Sequence, residues 1–93
     1  PEEKSKKRLE AEARQARSRE RRAMEKVVDK LEAEIARLET KQKELATELE
    51  NPATYEQPGR AVAVNRELQY VIEDLERATK EWETAASQLE SLQ

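Results

Sequence analysis

The chain has 93 residues, of which 42% are charged and only 3% are aromatic, and it contains no Phe, Cys or His. So little apolar surface excludes a globular core of normal depth, although it suffices for two helices that share one apolar seam. The missing Cys and His exclude disulfides, thiolate metal sites and the commonest general base, and no apolar run approaches the roughly 20 residues that cross a bilayer.

The first predicted segment, residues 1–13, is a basic helical lead-in. Residues 4–26 contain ten Lys and Arg and four Glu, which nets +6, whereas residues 27–93 net −7 from eight basic and fifteen acidic residues. The chain opens on Pro1 rather than Met and has no signal-peptide pattern. We therefore expect a piece of a larger protein, with the basic segment at the end where that protein attaches.

The first helix is predicted over about residues 8–50, where helix-forming residues dominate. Its N-terminal part carries only a weak stripe, which consists of Leu9, Ala13, Ala16 and Ala23. From Met24 onward a stronger stripe has alternating three- and four-residue steps, with Gln42 as its one polar member. The apolar members of this seam are Met24, Val28, Leu31, Ile35, Leu38, Leu45 and Leu49.

A helix break is predicted at residues 51–57. Asn51 precedes a proline, which disfavours helical backbone, and Asn tolerates the left-handed cap conformation. Pro58 suits the first turn of the next helix. The pair Thr54 and Gln57 has the spacing of a capping box, which predicts a short extra turn inside the loop as the alternative start.

The second helix is predicted over about residues 58–92, with a seam that has no polar interruption. Its members are Ala61, Val64, Leu68, Val71, Leu75, Ala78, Trp82, Ala85, Leu89 and Leu92. Two such seams joined by a break predict an all-α fold, a two-helix antiparallel coiled-coil hairpin over residues 14–93 with a basic N-terminal overhang. The alternative is an assembly of helices from separate chains, and we favour the monomeric hairpin.

The predicted register places Trp82 beside Met24, Val28 or Leu31, as a core residue. It also places Lys41 near Glu67 or Asp74. Tyr55 lies in the break, where it either closes the hairpin tip or presents its ring to a partner. No catalytic or metal site is predicted, because the chain has no His or Cys and its single glycine, Gly59, cannot form a phosphate-binding loop.

The basic segment is the candidate nucleic-acid interface, because phosphate contacts require only Lys and Arg along a surface that follows a backbone. The candidate contacts are Lys6, Lys7, Arg8, Arg14, Arg17, Arg19, Arg21, Arg22 and Lys26. The alternative is a solvated linker helix, held by the pairs Glu2–Lys6, Glu3–Lys7 and Glu10–Arg14. No aromatic residue is interleaved, so base stacking and sequence-specific recognition are not expected.

Three stretches of the sequence, residues 30–39, 48–55 and 75–83, resemble the C-terminal coiled-coil domain of ATP-binding cassette F (ABC-F) proteins of the Uup type. That domain has a hairpin tip with the pattern Leu-Glu, acid or Asn, Pro, two residues, Tyr, and a Trp-Glu pair near the end of its second helix. The matching residues are Leu49, Asn51, Pro52, Tyr55, Trp82 and Glu83. In one common version of the family domain, a Leu-Pro pair kinks the start of the first helix. This chain lacks that pair, since Arg22, Ala23 and Met24 continue the helix.

The resemblance implies a non-enzymatic accessory domain of a cytoplasmic ATPase that has no membrane-spanning part. ATP and magnesium would bind the parent cassettes, and this chain would bind neither. Family members act on the ribosome in translation, and the Uup-like domain is associated with DNA binding. The alternatives are a structural or protein-interaction arm that makes contact through its tip (Asn51, Pro52 and Tyr55) and a tRNA-binding hairpin of a synthetase.

Overall fold

A computed structural model describes residues 2–93 and confirms the all-α antiparallel hairpin. Helix α1 spans Glu2–Glu50, a 3₁₀ turn spans Pro52–Glu56, and helix α2 spans Arg60–Leu92. The hairpin measures 81 × 16 × 14 Å along its principal axes. Pro1, the first residue of the predicted lead-in, lies outside the described residues, and α1 begins at Glu2, ahead of the predicted start near residue 8.

The two apolar seams meet along the hairpin and form its core. Toward the tip, the buried residues are Leu38, Leu45, Val64, Val71 and Ala78. Toward the open end, Val28, Leu31 and Ala85 form a second cluster, against which Met24, Trp82 and Leu89 pack. Trp82 is thus the predicted core residue. Its indole N–H is buried and has no hydrogen-bond partner within residues 2–93, which is a cost that the packing of the ring offsets.

Ion pairs across the two helices agree with the register that the sequence predicts. The Lys41 Nζ lies 3.0 Å from Glu67 Oε1, which is one of its two predicted partners. Arg77 bridges the helices, with its Nη2 2.7 Å from Glu34 Oε1 and its Nη1 3.0 Å from Glu81 Oε2. The hydrogen bonds to Glu34 and then to Glu81 raise the pKa of Arg77. Because a raised pKa favours the charged form below it, Arg77 keeps its charge throughout neutral and moderately alkaline pH.

The break between the helices differs in detail from the prediction. Asn51 has extended backbone (φ −80°, ψ 119°) rather than the expected left-handed conformation. Its side-chain Oδ1 accepts a hydrogen bond of 3.0 Å from the Ala53 N–H. Asn51 therefore caps the 3₁₀ turn, and Pro52 takes the first position of that turn, where its missing N–H costs nothing. The extra turn exists, and Asn51 caps it instead of Thr54.

The start of α2 is also corrected, from about residue 58 to Arg60. The Arg60 N–H donates to the Gln57 carbonyl at 3.1 Å, and Gly59 has φ 76° and ψ −5°. Pro58 and Gly59 are thus the central residues of a tight turn with the glycine geometry of type II. The proline serves this turn rather than the helix, because a glycine with positive φ directly follows it and cannot belong to an α-helix.

Candidate nucleic-acid interface

Helix α1 projects beyond the end of α2 and carries the basic segment with it. It has 49 residues against 33 in α2, a difference of 16 residues or about 24 Å of helix. Residues 2–10 are all exposed, and the first α1 side chain that packs against a core cluster is Met24. The overhang, which we define as residues 2–17, is therefore a single helix surrounded by solvent.

Basic residues continue the seam positions of α1 into the overhang. Lys7, Arg14 and Arg21 occupy the heptad position that Val28 holds in the core, each seven residues from the next. Arg17 precedes Met24 by seven residues on the neighbouring seam position. The face that packs on α2 is thus apolar along the hairpin and becomes charged where α2 ends, with these four basic residues and with Glu3 and Glu10 at the heptad position of Arg17. We call this row of four residues the basic seam.

Four of the five remaining candidate bases lie together on one side of α1, and the fifth, Lys6, directly precedes Lys7. Arg8, Arg19, Arg22 and Lys26 follow one another at steps of eleven, three and four residues, which places them on one side of the helix. Of the nine candidates, all are exposed except Arg21, which is half-buried. Arg21 is also the one member with an ion pair in the described chain, a contact of 3.8 Å from its Nε to Glu25 Oε1.

The three pairs of the linker-helix alternative are absent from residues 2–93 of the structure. Glu2–Lys6, Glu3–Lys7 and Glu10–Arg14 do not come within ion-pair distance, although each has the required four-residue spacing. The basic groups of the overhang consequently point into solvent with their hydrogen-bond donors free for other acceptors. Such groups need no desolvated pocket, since phosphate binding depends on surface charge and released counterions.

The tip lies at the opposite end of the hairpin from the basic segment, so the two candidate sites are separate. The Tyr55 hydroxyl donates to the Leu49 carbonyl at 2.7 Å, yet 63% of the residue remains exposed. Tyr55 thereby closes the turn through its hydroxyl group, and its ring remains exposed at the surface. Glu48 pairs with Arg60 through contacts of 2.5 and 2.6 Å, which holds the two helix ends together.

Thr54 closes the tip through a buried hydrogen bond that the sequence pattern did not indicate. It is buried to 4% exposure, and its hydroxyl donates to the Glu48 carbonyl at 2.6 Å. This bond gives the Glu48 carbonyl a second donor, since the same carbonyl also accepts a hydrogen bond of 3.2 Å from the Asn51 N–H. The capping-box spacing of Thr54 and Gln57 predicts a cap at Thr54. Spacing alone does not identify the Glu48 carbonyl as the acceptor of its hydroxyl group.

Within the described chain, neither helix carries an apolar stretch that is long enough to cross a membrane. Residues 2–93 also contain no group of three or more acidic side chains arranged to hold a metal ion.

Comparison with known proteins gives one match. The family model described as "ABC transporter C-terminal domain" matches residues 15–87, which is 73 of the 93 residues. The match includes the whole turn and most of both helices. The comparisons with curated proteins and with solved structures each give no match.

Proposed function

The chain belongs to the family of ABC transporter C-terminal domains, and from that premise we propose that it is the accessory domain of an ABC-F protein of the Uup type, which contacts nucleic acid through its basic segment. The domain itself performs no catalysis. Its one glycine, Gly59, lies in the tight turn at the tip, so ATP and magnesium belong to the cassettes of the parent protein, which would work in the cytoplasm. Membership of this family also argues against the synthetase hairpin.

One observation carries this proposal: the cations of the basic segment are not neutralised, and its first part, from Lys6 to Arg17, projects beyond the end of α2 as a bare helix. Nine Lys and Arg lie between Lys6 and Lys26, and in the structure of residues 2–93 only Arg21 has a carboxylate within 4 Å. Like charges at this density repel one another and destabilise an isolated helix. A polyanion relieves that repulsion, and phosphates offer charge at a spacing that a straight helix can follow.

The basic seam is the part of this segment that we expect to lie closest to the phosphates. Lys7, Arg14 and Arg21 are separated by seven residues, or about 10.5 Å, along one side of a helix. Arg17 lies next to them, so about four phosphates can be contacted from one side. Because no aromatic residue occurs before Tyr55, bases cannot stack on this segment. The contact is therefore expected to be independent of nucleotide sequence.

Salt dependence tests this mechanism. We expect the chain to bind a DNA duplex or a ribosomal RNA stem, and with about four neutralised phosphates the affinity should fall about 100-fold between 50 and 200 mM salt. The triple substitution Arg14→Glu, Arg17→Glu and Arg21→Glu should abolish binding, measured by fluorescence anisotropy. Comparing the duplex with the RNA stem decides which nucleic acid is preferred.

A matched control uses three exposed bases of the hairpin body. Arg37→Glu, Lys43→Glu and Arg66→Glu change the net charge by the same amount, and these residues form no ion pair within residues 2–93. Binding should survive this control nearly unchanged. Equal losses for both triple variants would mean that only net charge matters, and an affinity that does not respond to salt would contradict the phosphate contact altogether.

The second candidate function is a protein contact at the tip, which the exposure of Tyr55 and Val62 favours. These residues line a shallow hollow of about 350 Å³ together with Leu49, Ala61 and Asn65. If a protein partner of the parent is lost on Tyr55→Ala while the Arg14, Arg17 and Arg21 substitutions have no effect on it, the tip is the functional contact and the basic segment is a linker.

A further inference from the structure

We infer that a second face of α1 docks an amphipathic helix of a partner protein, beside Arg17, Arg19 and Lys26, which are also candidate phosphate contacts. This face, here the Leu9 stripe, has steps of four, three, four, three and four residues. Its members are Leu9, Ala13, Ala16, Glu20, Ala23 and Val27. Such steps keep side chains on one side of a helix, and here that side is not the one that packs on α2.

All six residues of the Leu9 stripe are exposed. Leu9 is 64% exposed and Val27 is 44% exposed, which makes them two of the few large apolar side chains on the surface. At its C-terminal end the stripe enters a groove of about 650 Å³ between the two helices, lined by Val27 and Leu31 of α1 and Ala85 of α2. The stripe therefore adjoins the groove, although Glu20 interrupts the apolar stripe and charged residues, among them Lys30, Glu34 and Lys80, also line the groove.

The spacing and the residue sizes identify a helix as the occupant. A heptad stripe packs against another helix with a matching stripe, as α1 already does with α2 on its other side. Three of the six members are Ala, which allows the backbones of two helices to approach closely. The stripe spans 19 residues, or about 27 Å, which is enough for five turns of a docked helix.

Charged residues beside the stripe define the chemistry of that helix. Arg17, Arg19 and Lys26 occupy the flanking heptad positions from Ala16 to Val27, whereas Glu10 and Glu12 flank the stripe near Leu9. The partner should therefore carry acidic flanking residues along most of its length and basic ones at the end that lies over Leu9. It should also place a basic side chain opposite Glu20, and this polar position would fix the register.

A second copy of the chain fits this face less well. Two stripes packed antiparallel would bring two segments of +6 together, with the Arg17 and Arg19 side chains next to the same residues of the other copy. The large exposed apolar residues on α2, Val62 and Tyr70, are eight residues apart and offer no heptad stripe. A partner with opposite flanking charges avoids this repulsion.

The test uses a synthetic peptide of about three heptads with Leu at the seam positions, one Lys opposite Glu20, and the flanking charges just described. A charge-inverted peptide with the same seam is the control. Titrated into the full chain labelled with ¹⁵N, the matched peptide should shift the amide signals of Leu9, Ala16 and Val27 and saturate, and the inverted peptide should not. The combined variant Leu9→Ser and Val27→Ser should weaken binding about tenfold, since it removes the two largest apolar contacts.

Val62→Ser is the matched variant, because Val62 is 66% exposed but lies at the tip, and it should bind the peptide as the original chain does. The inference is overturned if the matched peptide causes no saturable shift, if the inverted peptide binds equally well, or if the Leu9 and Val27 variant binds unchanged. The inference is also overturned if the amide signals shift with protein concentration in the absence of peptide, because the face would then bind a second copy of the chain. Nucleic-acid binding by the Leu9 and Val27 variant should remain unchanged, so the two proposals fail separately.

Discussion

A single side chain interrupts the otherwise apolar seam of α1. Gln42 is half-buried between the buried Leu38 and Leu45. Its neighbours in a shallow surface groove include Thr40 and Lys43, so its amide reaches solvent rather than a buried partner. A polar residue at a seam position lowers the stability of a coiled coil and can fix its register. The packed seam residues on both sides of Gln42 already define the register, so Gln42 is expected mainly to lower the stability.

Replacing Gln42 with Leu should therefore stabilise the hairpin. The change removes a polar side chain from the seam and buries part of an apolar one, which is worth about 1 kcal/mol in the free energy of unfolding. Urea denaturation followed by circular dichroism measures this. Gln69→Leu is the control, because Gln69 is exposed and the same chemical change should have no effect there. A loss of stability in Gln42→Leu would show that the amide has a structural partner.

The hydroxyl groups of Thr54 and Tyr55 close the turn. The burial of each group determines how much its hydrogen bond contributes to the stability of the hairpin. Thr54 is 4% exposed and Tyr55 is 63% exposed, although both donate to carbonyls at the end of α1. Thr54→Val preserves the shape of the side chain and removes a buried hydrogen bond, although the Glu48 carbonyl keeps the Asn51 N–H as a donor, so the loss should be about 1 kcal/mol. Tyr55→Phe should cost less, because water replaces the lost bond at the exposed site. Chemical denaturation of both variants checks the order, and a larger loss for Tyr55→Phe would contradict it.

At the scale of whole elements, the two halves of α1 should differ in stability. The C-terminal half packs its seam on α2, while the overhang packs on nothing in the described chain. Isolated helices of this length are marginal in water, because nucleation is unfavourable and helix stability in proteins comes mainly from packing. The high charge of the overhang adds repulsion to this effect.

Hydrogen exchange should reveal this difference directly. Amides of residues 2–13 are expected to exchange much faster than those around Leu38 and Leu45, since the overhang can unfold without opening the core. Deleting residues 2–13 should leave the midpoint of thermal unfolding nearly unchanged. Protection of the overhang equal to that of the core, or a large loss of stability on deletion, would show that it packs on something.

The elements themselves were predictable because heptad spacing constrains them strongly. Both seams, the antiparallel pairing and the Lys41–Glu67 contact follow from spacing alone. The turn was less predictable, because Asn51, Thr54 and Pro58 each have more than one favourable local use. The conformation that each of these residues adopts is determined by the contacts that close the turn between Glu48 and Arg60. In the basic segment, the sequence identified the candidate Lys and Arg residues. Only the structure shows where α2 ends, and therefore which of these residues have no part of α2 beside them.

At the scale of the whole molecule, the hairpin is a rod with opposite charge at its two ends. The basic overhang extends from one end and the acidic body and tip form the rest, so a polyanion is attracted to the overhang and repelled from the body. In the proposed nucleic-acid contact, this polarity would orient the domain with its overhang toward the phosphates, because that approach is electrostatically favoured. The tip and its hollow then point away from the polyanion and remain accessible.

The elongated monomeric shape that this charge arrangement requires can be measured on the chain alone. The radius of gyration of the Cα atoms is 22.5 Å, whereas a compact domain of this length has about 12 Å. A single straight helix of the same residues would be about 138 Å long, compared with 81 Å for the hairpin. Small-angle X-ray scattering should therefore give a monomer with a maximum dimension slightly above 80 Å. A longer particle with twice the mass would mean that the seams pair between chains, and the turn would then no longer separate the two ends.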